Sequence, residues 1–209
     1  MKSLRSRLLI ALFACLLQTG AYAASLFETA GFVDFTSPAQ DGSNEPGGYF
    51  LDDSRFIGAS FQIASAQDVQ SIGGYFTEFS SGSIFGAIIA LPSPNALPTA
   101  SIDSLALAHV VFTPNGTDQL VNLAVHLNPG SYALVFGSGL FGATGTSGLV
   151  SFQDAVGATL FSGAGTSFAS FDGTDVRMRL VAAVPEPSEM ALMLAGLLML
   201  GMVARRRRA

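Results

Sequence analysis

The sequence predicts an all-β fold: an antiparallel β-sandwich, with a jelly-roll-like arrangement as one form of it, flanked by an N-terminal signal helix and a single C-terminal transmembrane helix. Three observations predict the central part. Residues 24–183 carry no long apolar period of 3.6. They carry short apolar segments broken by Gly, Ser, Asn, Asp and Pro, with a turn signal roughly every 8–12 residues. No repeat of fixed period is evident, which disfavours a propeller or a solenoid.

At the start of the chain, Lys2, Arg5 and Arg7 form a positive region, and Leu8 to Leu17 form an apolar run. Ala21 and Ala23 then give the A-x-A pattern that signal peptidase reads, so residues 1–23 are predicted to be a signal peptide cut after Ala23. A run of about ten residues is too short to span a hydrocarbon core of roughly 30 Å. Leu12-Phe13-Ala14-Cys15 offers a rival lipoprotein reading. Bulky Phe13, and an apolar run that continues past Cys15, argue against it.

The predicted strands of the 24–183 ectodomain are Arg55 to Ile63, Val69 to Phe79, Ile84 to Leu91, Leu105 to Thr113, Gln119 to Leu127 and Ser131 to Gly137. Further strands are expected at Leu149 to Gln153, Ala158 to Phe161, Ser167 to Phe171 and Asp175 to Val184. The clearest alternation sets Val121, Leu123, Val125 and Leu127 on one face and Asn122, Ala124 and His126 on the other. Asn128-Pro129-Gly130 reads as a turn into Tyr132, Leu134 and Phe136, so these two strands are expected to form a hairpin-like pair.

Composition narrows the chemistry. Apolar residues make up 49% of the chain and charged ones 12%, enough for a packed core. The ectodomain holds thirteen acidic residues against three basic ones (Arg55, Arg177 and Arg179), a formal charge of −10. It would repel a phosphate backbone, so no nucleic-acid partner is expected. The one cysteine, Cys15, lies in the signal segment, which removes disulfides, thiolate metal sites and cysteine nucleophiles from the mature chain. With seventeen Phe and no Trp, the aromatic load is read as core packing.

At the other end, Val184-Pro185-Glu186-Pro187-Ser188 precedes an apolar stretch at 190–204 and then Arg205, Arg206, Arg207 and Arg208. Fifteen helical residues cover about 22 Å, and snorkelling arginines with local thinning absorb the mismatch. The arginines form a cytoplasmic stop cluster and place the acidic domain outside. The paired prolines keep Pro185-Glu186-Pro187 extended and out of the helix. The order of these parts over residues 184–209 resembles the PEP-CTERM sorting signal. The resemblance implies processing near Pro185-Glu186-Pro187 by an exosortase, a membrane-embedded cysteine peptidase or transpeptidase, with loss of the helix and arginines. It also implies an exported bacterial surface or extracellular-matrix protein, transiently anchored in the inner membrane and associated with exopolysaccharide or biofilm. Leu127 to Gly145 is similar to a segment recurring in ectodomains of the same family; that likeness assigns no activity.

Several motifs invite other functions. Gly137-Ser138-Gly139-Leu140-Phe141-Gly142 matches G-x-G-x-x-G, but Ala143 to Gly148 is a poor helix start, so a glycine-rich loop is expected rather than a dinucleotide site. His109 and His126 show no metal-ligand spacing and no G-x-S-x-G elbow accompanies them. Asp52-Asp53 and Asp172 to Asp175 offer oxygens to calcium without an EF-hand pattern and are expected to be turn chemistry. Asn115-Gly116-Thr117 is a formal sequon. The expectation is therefore a non-enzymatic protein with no catalytic residue, cofactor or metal. The expected partners are signal peptidase and, as the resemblance implies, exosortase and extracellular polysaccharide. The alternatives are a carbohydrate-binding module using Tyr49, Tyr75 or Tyr132, and a secreted hydrolase using His109 or His126.

Overall fold

The computed structural model describes residues 25–31, 48–77, 80–152, 158–171, 175–183 and 196. The signal segment with Ala21 and Ala23, the motif Pro185-Glu186-Pro187, and Arg205, Arg206, Arg207 and Arg208 lie outside the described residues. Of the predicted helix 190–204, Gly196 alone is described, and it is helical. Among the described residues no helix is long and apolar enough to cross a membrane.

The described part of residues 24–183 is all-β and antiparallel. Its strands are β1 (Ser25–Glu28), β2 (Gly48–Leu51), β3 (Phe56–Ile63), β4 (Gln67–Tyr75), β5 (Ile84–Leu91), β6 (Ala106–Phe112) and β7 (Asp118–Leu127). They continue with β8 (Gly130–Gly137), β9 (Ser147–Phe152), β10 (Leu160–Ala164), β11 (Ser167–Ser170), β12 (Asp175–Val176) and β13 (Met178–Ala182), with one helical turn at Ile102–Leu105. One sheet runs β1-β13-β4-β7, a second β11-β10-β3-β8-β5-β6, and a small third β12-β9-β2.

The first two sheets share one core, giving a sandwich-like pair. Ile57, Ile63, Ile88, Leu134 and Phe136 from the six-stranded sheet meet Val69, Ile72, Leu123, Leu127 and Leu180 from the four-stranded one. Burying each such side chain contributes about 1.5–3 kcal/mol. Gly86 lets the layers close: a Cβ there would lie 2.6 Å from Ile72 Cδ1 and 2.7 Å from Phe136 Cε1. The six-stranded sheet is covered on its outer face as well, where Phe56, Phe85, Ile89 and Val135 pack with Ile102, Ala143 and Phe161. Burial on both faces explains why β5 reads as an unbroken apolar run and β3 and β8 are buried along most of their length, whereas β6 and β7 alternate.

The hairpin expected around Asn128-Pro129-Gly130 does not form. β7 pairs with β4, whereas β8 pairs with β3 and β5 in the other sheet. The segment 128–130 is an arch that carries the chain across the core, and the Tyr132 hydroxyl donates to the Asn128 carbonyl at 2.8 Å. The link 64–66 makes the same crossing from β3 to β4. The two arches lie side by side, with Ile63 opposite Gly130 and Gln67 opposite Leu127. Leu127 and Ile63 are both buried in the shared core, so the chain turns between layers rather than within one. The segment Asp175 to Val184 is likewise divided at Arg177, its halves β12 and β13 belonging to different sheets. Strands β1 and β2 and the helical turn were not expected. Each is four residues long, too short to show a period.

Arg177 is the main polar tie inside the domain. It is 3% exposed. Its Nη1 donates to Glu28 Oε1 and, at 2.5 Å, to the Ala30 carbonyl. Its Nε lies 3.1 Å from Asp118 Oδ2, which Arg179 Nη2 also approaches at 3.1 Å. Two cations and two carboxylates thus join β1, β7 and β13. Breaking a buried pair from one side leaves a charge without compensation, so Arg177→Ala should cost about 3–5 kcal/mol. The change should appear as a lower urea midpoint at unchanged slope. Glu28→Gln should cost less, because the Glu28 side chain keeps 32% of its exposure.

Candidate functional site

Two places in the described fold are candidates: the point where the chain leaves toward its C-terminal motif, and a cleft beside the glycine-rich loop. At the first, β13 is an interior strand held by β1 on one side and β4 on the other. Val181 lies opposite both Ser25 and Ser71, Ala182 opposite Val69, and the Ala183 N–H donates to the Asp68 carbonyl at 2.7 Å. The Asp68 carboxylate meets His126 across the same sheet, Oδ1 to Nδ1 at 2.7 Å, with both side chains more than half exposed. One residue therefore fixes the departing chain through its backbone and makes a surface hydrogen bond through its side chain. Pro185 follows Ala183 by two positions.

The cleft encloses about 380 Å³ and is lined by Asp53, Phe56, Ser101, Ile102, Leu140 and two glycines, Gly139 and Gly165. Its walls come from four separate segments (the start of β3 with the loop before it, the helical turn, the loop after β8 and the β10–β11 turn), which meet on the outer face of the six-stranded sheet. Asp52 shapes the first of them: its Oδ1 accepts from the Ser54 N–H and hydroxyl, each at 2.8 Å. The Ser54 hydroxyl holds the Asp52 carboxyl below its ordinary value; burial opposes this, and the amides of Ser54 and Arg55 with the Arg55 charge reinforce it. Gly139 has φ +76°, and a Cβ there would lie 2.7 Å from Asp53 Cβ, so only glycine lets the two loops touch. Phe141, itself at φ +56°, stacks on His109 with ring centroids 3.9 Å apart. The cleft thus sets the apolar side chains of Phe56, Ile102 and Leu140 beside the polar residues Asp53 and Ser101.

The remaining motifs find structural places. After Gly142 the chain runs into β9, the Gly145 N–H donating to the Ser83 carbonyl at 2.6 Å and Thr146 bridging to Ser81. No helix opens there to hold a pyrophosphate. His109 and His126 are exposed residues of β6 and β7, strands of different sheets. Tyr132 is buried, Tyr49 packs on Phe171, and Tyr75 packs against the Ala30 and Val150 cluster, so none of the three is an open stacking platform. Asn115 Oδ1 accepts from the Thr117 N–H and hydroxyl, at 3.2 and 2.7 Å, closing a turn. Asp172 lies outside the described residues, and Asp175 begins β12. Among the described residues no three His, Cys, Asp or Glu side chains are grouped to hold a metal ion. Asp68 and Ser101 carried no signal in sequence, since their roles arise only when distant segments meet.

No protein-family model matches this chain, and no curated protein matches it.

Ser54→Ala should raise the Asp52 pKa toward the ordinary carboxylate value, as read from the side-chain carboxyl shift in an NMR titration. The wild-type carboxyl is depressed, so its stabilising effect is present above the unfolded-state pKa and disappears as pH falls through the folded value. The stability gap between wild type and S54A should therefore close on acidification through that window.

Proposed function

We propose that this chain is an exported bacterial surface or matrix protein, delivered by a signal peptide cut after Ala23 and sorted through a PEP-CTERM tail. Residues 24–183 are then a non-enzymatic β-sandwich domain associated with exopolysaccharide or biofilm. The observation that carries this is the order of the C-terminal parts: Pro185-Glu186-Pro187, an uncharged apolar stretch at 190–204, and Arg205 to Arg208. An exosortase cysteine would attack a peptide carbonyl near the motif, with the tail leaving as its amine. Water or an amine-bearing acceptor would then release the acyl group. The protein would be anchored in the inner membrane only until that step.

Strand order supports a jelly-roll form of the sandwich. Counting β1, β3, β4, β5, β6, β7, β8 and β13 as first to eighth, one sheet reads first, eighth, third, sixth. The other reads second, seventh, fourth, fifth, with β10 and β11 added beyond β3. A second reading, a carbohydrate-binding module, is favoured by the cleft at Asp53 and Ser101 and not by the three tyrosines. A fold of this kind hosts many functions, so the cleft carries that reading alone.

Deleting residues 185–187 in the native host should leave a cell-associated precursor that still carries its tail. A mutant of wild-type size and location would contradict sorting. For the second reading, Asp53→Ala should abolish retention on the protein's own exopolysaccharide if the cleft binds sugar; equal retention of both proteins would remove that reading.

A further inference from the structure

We propose that the folded ectodomain itself limits processing of the tail: the end of β13 is a clamp that must open before an enzyme can bind the Pro185-Glu186-Pro187 segment. The proposal rests on the sorting reading given above and adds the control of that site.

The physical basis is reach. Ala183 is held by its N–H to the Asp68 carbonyl, and Pro185 lies two residues farther on. Two extended residues cover about 7 Å. A peptidase reads an extended backbone through main-chain hydrogen bonds on both sides of the bond it cuts, so it needs residues upstream of the motif as well. Those upstream residues include 181–183, and the domain already engages Val181 from both sides and Ala182 and Ala183 from the β4 side. Edge strands fray easily, but β13 is interior. At Val181 it is flanked by Ser25 of β1 and Ser71 of β4. The N-terminal strand therefore locks the C-terminal one, and Glu28 and Arg177 join them farther along.

The clamp has a defined opening point. The β1 ladder changes register between Ser25 and Phe27, and the β4 ladder between Val181 and Ala182. In β13 the two irregularities fall on either side of Val181. Release can therefore stop at Val181 and leave Met178 and Leu180 buried in the core. Local opening of this kind costs less than unfolding.

The test uses the full-length protein in its native host, followed by pulse-chase of precursor and mature forms. A six-residue Gly-Ser spacer inserted between Ala183 and Val184 supplies free backbone upstream of the motif. An end held by two or three net hydrogen bonds is open in only about a tenth to a hundredth of molecules, so the spacer should shorten the processing half-time by roughly tenfold to a hundredfold. In the opposite direction, V69C/A182C places a disulfide across paired positions of a domain that has no other cysteine. The oxidised double variant should remain a precursor, and reductant should return it to the wild-type half-time, which also shows that it folds. Wild-type half-times for both the spacer variant and the oxidised variant would overturn the clamp. Deletion of 185–187 separates the two ideas. If it stops processing while spacer and disulfide change nothing, the clamp alone fails; if it leaves processing intact, the sorting reading fails and the clamp falls with it.

Discussion

The structure depends on where its few positive charges go. Residues 24–183 contain three basic residues, and two of them, Arg177 and Arg179, sit in one cluster with Glu28 and Asp118. The cluster joins the first strand, the start of β7 and the last strand, so segments almost the full length of the domain apart are fixed to one another. Thr29 extends the same tie: its hydroxyl donates to the Val176 carbonyl and accepts from the Met178 N–H at 2.8 Å. A buried guanidinium is costly to desolvate, and it is tolerated here because carboxylates and the Ala30 carbonyl surround it. The outcome is an interior last strand, from which both the shared core and the fixed exit of the chain follow.

Sequence patterns reported which segments are strands far better than which strands are partners. Ile84–Leu91 has the bounds that its apolar run predicts, and Val121, Leu123, Val125 and Leu127 do face inward. An alternating pattern states which face is buried, however, and says nothing about which backbone lies alongside. Asn128-Pro129-Gly130 illustrates the gap, because a hairpin and an arch between layers use the same turn residues. The Arg177 cluster was illegible for a related reason: Glu28, Asp118 and Arg177 share no spacing, and only the closed sandwich brings them together. The same holds for the cleft, whose Asp53, Ser101 and Gly139 come from loops with ordinary turn composition.

Within the domain, the residues that look most like chemistry are absorbed by architecture. The G-x-G-x-x-G stretch is a turn that receives Asp53, the sequon closes a loop, and two of the three tyrosines pack against apolar neighbours while Tyr132 is buried. The signals that point to function lie at the two ends of the chain. The fold bears on them through β13, whose last paired residues stand next to the motif in sequence. On the proposed reading, sorting and folding meet at Val181 to Ala183, where a backbone engaged in the sheet directly precedes the motif in sequence.

The most direct measurement is the intact mass of the mature protein recovered from the cell surface or medium, with both termini assigned by fragmentation. Sorting by a transient anchor predicts a chain that begins at Ala24 and ends before Met190, with any attached group borne on its last residue. A surface protein that still carried Arg205 to Arg208, or that retained residues 1–23, would contradict it.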